Sequence, residues 1–251
     1  MMSTNLVRTE NDLWLYEISR SIQGEGRYEG LPVVIVRLMM CNLKCSAAEG
    51  GFNCDTAYTW DKNKLAKGFV LTARDAMMEV VDESVKSIEG DKGADTIMLT
   101  GGEPLIWQHY EPFNRLLEYA KALNFNIHVE TNGTQPLTEE TKSLIDFFAI
   151  SPKQTQYKNR YNKEEIQGYL EVPHIWKFVI RTQENMDDAM KWLERYDIPY
   201  NDEIYLMPEG ITAVEMDDHI TNIINPFLMR NEGNYWNIKI SGREHIRRGL
   251  K

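Results

Sequence analysis

The stretch "LPVVIVRLMMCNLKCSAAEGGFNCDT", residues 31–56, joins the clearest strand of the chain to its most unusual loop. Residues 31–40 form an apolar run rich in β-branched residues, which predicts a buried strand. The loop that follows holds Cys41, Cys45 and Cys54, and these are all the cysteines of the chain. Three thiols cannot all pair with one another, and such close clustering is typical of a metal site rather than of a disulfide framework. One or two ordinary buried thiols are the simpler alternative.

The composition predicts one globular domain spanning residues 1–251, with 42% hydrophobic and 10% aromatic residues. The formal net charge of −10 argues against a nucleic-acid backbone as the main partner. No apolar run approaches the roughly 20 residues of a membrane span, and the first residues lack the apolar core of a signal peptide. We therefore expect a cytoplasmic protein with neither a membrane nor a nucleic acid as partner.

Strand-like and helix-like segments alternate along the rest of the chain. Apolar strand-like segments, most of them ending in a turn, lie at 94–104, 124–133, 146–153, 175–180, 202–210 and 234–240. Helical spacing of apolar residues is present at 72–90, 110–123, 137–145, 182–196 and 212–230. The alternation predicts right-handed crossovers and an α/β fold with a mostly parallel sheet of about six or seven strands.

The residues with chemical potential come directly after the predicted strands. Besides the cysteine loop, these are "TGGEP" (100–104), "ETNG" (130–133), "SPK" (151–153) and "MPEG" (207–210). In parallel α/β folds the functional site lies at the carboxyl ends of the strands. We therefore expect these five loops to face one cavity.

Three cysteines leave two kinds of metal site open. A structural zinc site needs four ligands, so one of the five histidines would have to join the cysteines, and none is near them in sequence. The five are His109, His128, His174, His219 and His245. An iron–sulfur cube held by three thiolates leaves one iron free to bind a substrate or cofactor, and this favours reactivity over electron storage.

The three-cysteine loop followed by "GGEP" resembles the radical S-adenosylmethionine (SAM) superfamily. More motifs follow in order and resemble the 7-carboxy-7-deazaguanine synthase family. They are "SIQGEG" (21–26), Arg37, "CDTAYTW" (54–60), "ETNGT" (130–134), "SPK", "MPEG" and, more weakly, "ISGREH" (240–245). The cysteine spacing here is C-x3-C-x8-C, whereas the commonest spacing in the family is C-x3-C-x2-C.

The resemblance implies a partial (β/α) barrel of the radical SAM type, with about six core parallel strands and flanking helices. It implies an N-terminal substrate loop at about 15–30 and a cluster loop at 41–56. It also implies that Cys41, Cys45 and Cys54 bind a catalytic 4Fe-4S cluster. The SAM contacts it implies are Gly101, Gly102, Glu103, Ser151, Pro152, Lys153, Met207, Pro208 and Glu209. The glycines suit close approach to a ligand, although a plain β-to-α turn is the alternative.

Lys153 and the "ETN" segment (130–132) have equally simple alternatives to a SAM contact. Lys153 would pair with a carboxylate, although alone it reads as a solvated charge. Glu130, Thr131 and Asn132 would either reach the SAM ribose or cap the following helix.

The substrate implied is 6-carboxy-5,6,7,8-tetrahydropterin. Arg37 would hold its carboxylate with a forked pair of donors, or would form a structural ion pair. Gln23 and Glu25 would bind the pterin edge. The full implied set is Ile22, Gln23, Gly24, Glu25, Arg37, Thr100 and His245. Thr56 would bind a Mg²⁺ ion that also touches the pterin, or would cap a helix.

The implied reaction is a radical ring contraction that gives 7-carboxy-7-deazaguanine with loss of ammonia. The resemblance further implies an external electron donor, such as flavodoxin or ferredoxin, and a homodimer. Two other enzymes remain as alternatives, a glycyl-radical activase and another radical SAM enzyme. A zinc-binding structural module is the alternative from a different class.

Overall fold

A nine-stranded sheet organises the chain in the computed structural model, which describes residues 11–46, 52–61, 67–88, 90, 93–230 and 236–249. The strands are β1 (Asp12–Ile22), β2 (Pro32–Leu38), β3 (Phe69–Thr72), β4 (Thr96–Gly101), β5 (Asn126–Thr131), β6 (Phe147–Ile150), β7 (His174–Ile180), β8 (Glu203–Pro208) and β9 (Asn237–Ile240). Their order is β3-β1-β2-β4-β5-β6-β7-β8-β9. The seven strands from β2 through β4 to β9 are parallel neighbours. The predicted α/β class and mostly parallel sheet are confirmed.

The two antiparallel strands were not predicted. β1 pairs with β2 on one side and with β3 on the other, both antiparallel. Leu13 and Leu15 of β1 alternate with less buried residues, which is the period expected of a strand. The predicted start of the substrate loop at about residue 15 is therefore wrong, because residues up to Ile22 cover the edge of β2. The loop proper begins at Gln23.

Eight helices are present in the described part of the chain. They are α1 (Ala73–Ser84), α2 (Glu111–Ala122), α3 (Glu139–Leu144), α4 (Lys163–Tyr169), α5 (Gln183–Arg195), α6 (Ala213–His219), α7 (Asn225–Met229) and α8 (Glu244–Arg247). Side-chain caps begin most of them; for example, Thr182 accepts from the backbone N–H of Asn185 at α5. None of these helices has the length and apolar character that crossing a membrane requires.

Helix α1 is shorter than the predicted 72–90, and its end has a tertiary cause. The Ser84 carbonyl accepts from the Ala94 backbone N–H at 2.8 Å, so it is not available to a further helical turn. The Arg20 guanidinium takes the Lys86 carbonyl just beyond. The predicted helix 212–230 is confirmed as α6 and α7, joined by the π-helical turn Ile220–Ile224.

Successive residues of each strand point to opposite faces of the sheet. One set, including Val36, Leu99 and Trp176, belongs to the main core together with the helices. Residues of the opposite parity form two small apolar clusters on the other face, around Ile35 and Ile175. This second face becomes polar toward the carboxyl ends of the strands, where Arg37, Thr100, Glu130 and Lys177 stand. The alternation therefore builds a site on an apolar floor.

Candidate active site

A cavity of about 790 Å³ lies at the carboxyl ends of the parallel strands. The predicted site residues that line it are Ile22, Gln23, Gly24, Glu25, Arg37, Cys41, Cys45, Cys54, Thr56, Thr100, Gly101, Gly102, Glu130, Thr131, Asn132, Ser151, Lys153, Met207, Glu209 and His245. The lining does not include Glu103, Pro152 or Pro208. Loops after β2, β4, β5, β6 and β8 contribute to the same wall, as the position of the motifs predicts.

The three cysteines are free thiols on this wall. Cys41 Sγ accepts from the Leu43 backbone N–H at 3.4 Å, and Cys54 Sγ accepts from the Trp60 indole N–H at 3.5 Å. Burial raises the pKa of the Cys41 thiol to about 12, and it also raises the pKa of Cys45. Metal binding here must therefore displace protons.

The donor set suits an iron–sulfur cluster, because thiolates are soft ligands and no disulfide occupies the three sulfurs. Among the residues that the structure describes, however, no three His, Cys, Asp or Glu side chains already converge on one point. Residues 47–51, which complete the long C-x8-C segment, lie outside the described ranges. A thiolate cage that closes only around its metal is the ordinary behaviour of such sites.

Both glycines of "TGGEP" are required by close packing against the start of the cysteine loop. A Cβ at Gly102 would lie 1.7 Å from the Met40 carbonyl oxygen, and one at Gly101 would lie 2.2 Å from that of Leu38. The backbone N–H groups of Gly102 and Glu103 donate to the same two carbonyls, at 3.0 and 2.8 Å. The turn thus fixes the point at which the chain enters the cysteine loop.

Glu103 is fully buried under the cavity wall rather than exposed in it. Its carboxylate accepts from the backbone N–H groups of Leu105 and Asn132 and from the Thr131 hydroxyl, at 2.6 to 3.0 Å. Burial nevertheless raises the pKa of Glu103. The side chain joins the glycine turn after β4 to the loop after β5.

Thr131 and Asn132 are held by Glu103 and do not cap the next helix. Helix α3 is capped by Thr138, which accepts from the Thr141 backbone N–H. The capping alternative is therefore wrong for the "ETNG" segment. Asn132 instead donates to Asn42 Oδ1 at 3.0 Å, so it links the loop after β5 to the cysteine loop.

The "SPK" and "MPEG" loops place two charged side chains on the wall. Lys153 Nζ donates to Ser151 Oγ at 2.9 Å and lies 5.2 Å from the centre of the Phe52 ring. Glu209 Oε2 lies 3.6 Å from Arg181 Nε, as an ion pair.

Arg37 forms a structural ion pair and also lines the cavity. Its Nε donates to Glu17 Oε2 at 3.0 Å, which is the structural ion pair. That bond uses one of the five N–H donors of a guanidinium. The side chain also lines the cavity with 12% of its surface exposed, so it can meet a ligand.

The C-terminal segment docks onto the "QGEG" loop. His245 packs against Gly24, where a Cβ would lie 1.8 Å from its Nδ1 atom. The Glu244 backbone N–H donates to the Gly24 carbonyl, and the Gly26 N–H donates to Ser241 Oγ. Burial lowers the pKa of His245, which keeps the imidazole neutral near pH 7.

Thr56 stands at the N-cap position of a 3₁₀ turn, Ala57–Thr59, but its hydroxyl makes no capping hydrogen bond. Its Oγ1 donates to the Gly101 carbonyl at 3.1 Å and lies 3.5 Å from Cys54 Sγ. The capping alternative is therefore wrong. The hydroxyl lies where the cysteine loop meets the glycine turn.

A network of ion pairs in the cavity wall, centred on Glu25 and on the buried residues Lys177 and Arg243, was not predicted. Glu25 accepts from Lys177 at 2.5 Å and from Arg243 at 3.0 Å. Lys177 also contacts Glu130 at 3.1 Å, and Arg243 contacts Asp55 at 2.7 Å. One signal could have revealed it: "IWKFVI" places a lysine on the same strand face as Ile175 and Val179, inside an apolar strand.

The neighbouring charges determine the protonation states of Glu25 and Lys177. Burial alone would raise the pKa of Glu25, but the charges of Lys177 and Arg243 hold it well below its usual range. Burial would lower the pKa of Lys177, but Glu130 and Glu25 raise it above its ordinary value. Glu25 and Lys177 are thus an ionised pair across the neutral pH range.

The mostly parallel sheet with flanking helices, and a cysteine loop directly after its first parallel strand, define a radical SAM type of fold. QueE from Escherichia coli has a crystal structure with a similar fold, at a TM-score of 0.64 and 21% sequence identity, covering 92% of this chain and 94% of that one. No family model matches the chain.

Sequence relatives define the family more narrowly. A 7-carboxy-7-deazaguanine synthase from Pyrobaculum aerophilum is 32% identical over 211 residues, which cover 82% of this chain and 84% of the relative. One from Flavobacterium psychrophilum is 26% identical over 232 residues, covering 92% of this chain and 90% of the relative. This chain belongs to the 7-carboxy-7-deazaguanine synthase family.

Proposed function

We propose that this chain is a 7-carboxy-7-deazaguanine synthase, which converts 6-carboxy-5,6,7,8-tetrahydropterin to 7-carboxy-7-deazaguanine with loss of ammonia. One observation carries the proposal: a single cavity wall bears three free thiols, the glycine turn, Arg37 and the Glu25 carboxylate. The proposal includes an external electron donor such as flavodoxin or ferredoxin, a cytoplasmic location and a homodimer.

The cofactors proposed are a 4Fe-4S cluster and SAM. When bound, they supply a 5′-deoxyadenosyl radical that removes a hydrogen atom from the substrate. Cys41, Cys45 and Cys54 would hold the cluster, and the chain has no fourth cysteine. Glu103 holds the glycine turn after β4 against the loop after β5 through its hydrogen bonds to Thr131 and Asn132.

The SAM site proposed is the part of the wall formed by Gly101, Gly102, Ser151, Lys153, Met207 and Glu209. Lys153 offers an ammonium to a carboxylate, and the Ser151 hydroxyl holds it in place. Pro152 and Pro208 shape these loops from outside the lining.

Substrate recognition is proposed to use opposite charges on separate elements. Arg37 at the end of β2 takes the substrate carboxylate, and Glu17 orients the guanidinium through Nε. Gln23, Glu25 and neutral His245 face the heterocycle, and Thr100 lines the same wall. The Thr56 hydroxyl is proposed to meet a Mg²⁺ ion that also binds the substrate, since Mg²⁺ accepts hard oxygen ligands.

Anaerobic turnover tests the proposal. Reconstituted full-length protein is incubated with SAM, a reductant and the carboxypterin, and the products are identified by mass spectrometry. We expect 7-carboxy-7-deazaguanine, with about four iron and four sulfide per chain. Zinc without sulfide would support the structural module instead. SAM cleavage without conversion of the pterin would support another radical SAM enzyme.

Replacement of each cysteine tests the ligand set. Cys41→Ala, Cys45→Ala and Cys54→Ala should each abolish SAM cleavage, whereas Ser46→Ala in the same loop should not. Full activity in Cys54→Ala would show that the long loop uses a different ligand.

A further inference from the structure

Lys177 is a buried cation that the roles above leave without an explanation. It lies in the middle of β7 between Trp176 and Phe178, which both belong to the main core. Its own side chain lies on the opposite face, lines the cavity and is 5% exposed. Its Nζ atom bridges two carboxylates, Glu25 at 2.5 Å and Glu130 at 3.1 Å.

Stability alone does not account for this bridge. Two carboxylates and an ammonium lose their hydration when they are buried, and well-packed apolar side chains of similar volume are often equally stable or more stable. The neighbouring inward positions of β7 are indeed apolar, namely Ile175 and Val179. The bridge does fix the distance between two acceptor groups on the cavity wall.

Both carboxylates retain hydrogen-bonding capacity after these contacts. Glu25 receives one bond at each oxygen, from Arg243 and from Lys177. Glu130 receives one from Lys177 and one from the Thr100 hydroxyl. A carboxylate offers about four acceptor sites, so each can accept further donors from a ligand.

We propose that Lys177 is a positioning residue that determines specificity: it holds Glu25 and Glu130 as a pair of acceptors for the donor-bearing amino–amide edge of the substrate heterocycle. This inference rests on the proposed function. A pterin presents an exocyclic amino group next to a ring N–H, which are adjacent donors. An analogue with a carbonyl in place of that amino group would put an acceptor against a carboxylate, and such mismatches are strongly rejected.

The test compares two stable, fully oxidised probes, 6-carboxypterin and 6-carboxylumazine, which differ by that amino-to-carbonyl replacement. Equilibrium binding to the full-length, cluster-loaded protein is measured in the presence of SAM. The wild-type chain should prefer the pterin by about 100-fold or more. Lys177→Met should reduce this preference to about tenfold or less with SAM binding unchanged, and Lys177→Arg should restore most of it.

Lys239→Met is the matched control. Lys239 also lies on a strand of the sheet and pairs with a carboxylate, Glu203 at 3.1 Å, but it is 41% exposed and lies outside the cavity lining. This variant should keep the wild-type preference. If Lys177→Met fails to fold, Glu130→Gln serves instead, because it removes one of the two charges and should also reduce the preference.

The outcomes separate this inference from the proposed function. Equal weakening of both probes by Lys177→Met would show that the lysine only shapes the cavity, which overturns the inference. An unchanged preference in Lys177→Met or in Glu130→Gln would also overturn it and leave the proposed function intact. A wild-type chain that binds SAM but shows no preference for the pterin would contradict the proposed function as well.

Discussion

Arg37 keeps a fixed partner, Glu17, while it lines the cavity, so one side chain serves both packing and recognition. The ion pair between Arg37 Nε and Glu17 fixes the orientation of the guanidinium plane. A lysine at this position would keep the charge but lose the planar fork. The geometry therefore predicts which ligand should be affected by a conservative change.

Arg37→Lys should weaken binding of 6-carboxypterin by about 1.5–3 kcal/mol, the usual contribution of a hydrogen bond to a charged group. SAM binding should stay within error, because the SAM contacts proposed above lie on other loops. Glu17→Gln is the control: it keeps the fork and weakens only its orientation, so its effect should be smaller. The opposite pattern, with SAM affinity lost and pterin affinity kept, would assign Arg37 to SAM.

Thr56 presents its hydroxyl to the Gly101 carbonyl rather than to a helix end. If it also binds Mg²⁺, Thr56→Ala should raise the Mg²⁺ concentration needed for turnover while iron content and SAM binding remain normal. Thr56→Ser keeps the hydroxyl and should be mild. Titration of Mg²⁺ against turnover for the three proteins decides the point, and superimposable curves would remove Thr56 from the ligand set.

At the scale of elements, the glycine turn after β4 and the start of the cysteine loop are one packed unit. Met40 has a positive φ of 74°, which is an unusual conformation for a residue with a side chain. Backbone hydrogen bonds from Gly102 to the Leu38 carbonyl and from Glu103 to the Met40 carbonyl hold the chain in this conformation. The motif "GGE" therefore has a structural role here that does not depend on any ligand.

Gly102→Ala should disrupt this unit, because its Cβ would meet the Met40 carbonyl oxygen at 1.7 Å and backbone would have to move. We expect a loss of at least about 2 kcal/mol in the free energy of unfolding, together with reduced iron incorporation. Both are measurable, by urea unfolding and by iron analysis.

Gly168→Ala is the matched control in helix α4, where an added Cβ would have no atom within 4 Å. It should stabilise the chain by about 0.5–1 kcal/mol and leave iron content unchanged. Equal behaviour of the two alanine variants would contradict the packing argument.

At the scale of the whole molecule, Arg243 joins three loops that are far apart in sequence. Its guanidinium contacts Glu25 in the N-terminal loop, Asp55 beside the last cysteine and the Gly210 carbonyl after β8. The residue has a positive φ of 50°, so the C-terminal segment bends sharply to reach this position. The C-terminal segment around Arg243 therefore forms one side of the site.

Arg243→Met should lower the free energy of unfolding by about 2–3 kcal/mol at pH 7, since Glu25 is buried while Asp55 is about half exposed and contributes less. The folded pKa of Glu25 lies below its ordinary value of 4.5, so its ion pairs stabilise the fold above that pH and are lost in stronger acid. The difference between variant and wild type should therefore stay constant from pH 8 to pH 5.

Urea unfolding across that pH range checks this expectation. The difference should shrink only in stronger acid, where Glu25 of the variant takes up a proton before that of the wild type. A difference that changes mainly between pH 8 and pH 6 would instead assign the effect to His245, which packs beside Glu25.

The α/β class of the fold, and the motif residues expected at the ends of the strands, were predictable from the amino-acid sequence alone. Alternating apolar strands and amphipathic helices are local patterns, so the seven parallel strands and the longer helices were predictable, as was the position of the motif loops at the strand ends. β1 was not predicted, because its pairing with β2 and β3 depends on partners distant in the chain. The early end of α1 depends in the same way on Ala94 and Arg20.

The contacts that each site residue makes became visible only in the folded structure. Glu103 and Gly102 belong to a motif that the family resemblance assigns to SAM, and the structure shows that they also join one loop to another, which sequence spacing cannot reveal. Lys177, Arg243 and Asp55 come from three separate segments. Their charges acquire a shared role only when the folded chain buries Lys177 and Arg243 and places all three within 3.1 Å of their partners. Long-range pairing of buried charges depends on three-dimensional proximity, and proximity is what local sequence patterns do not encode.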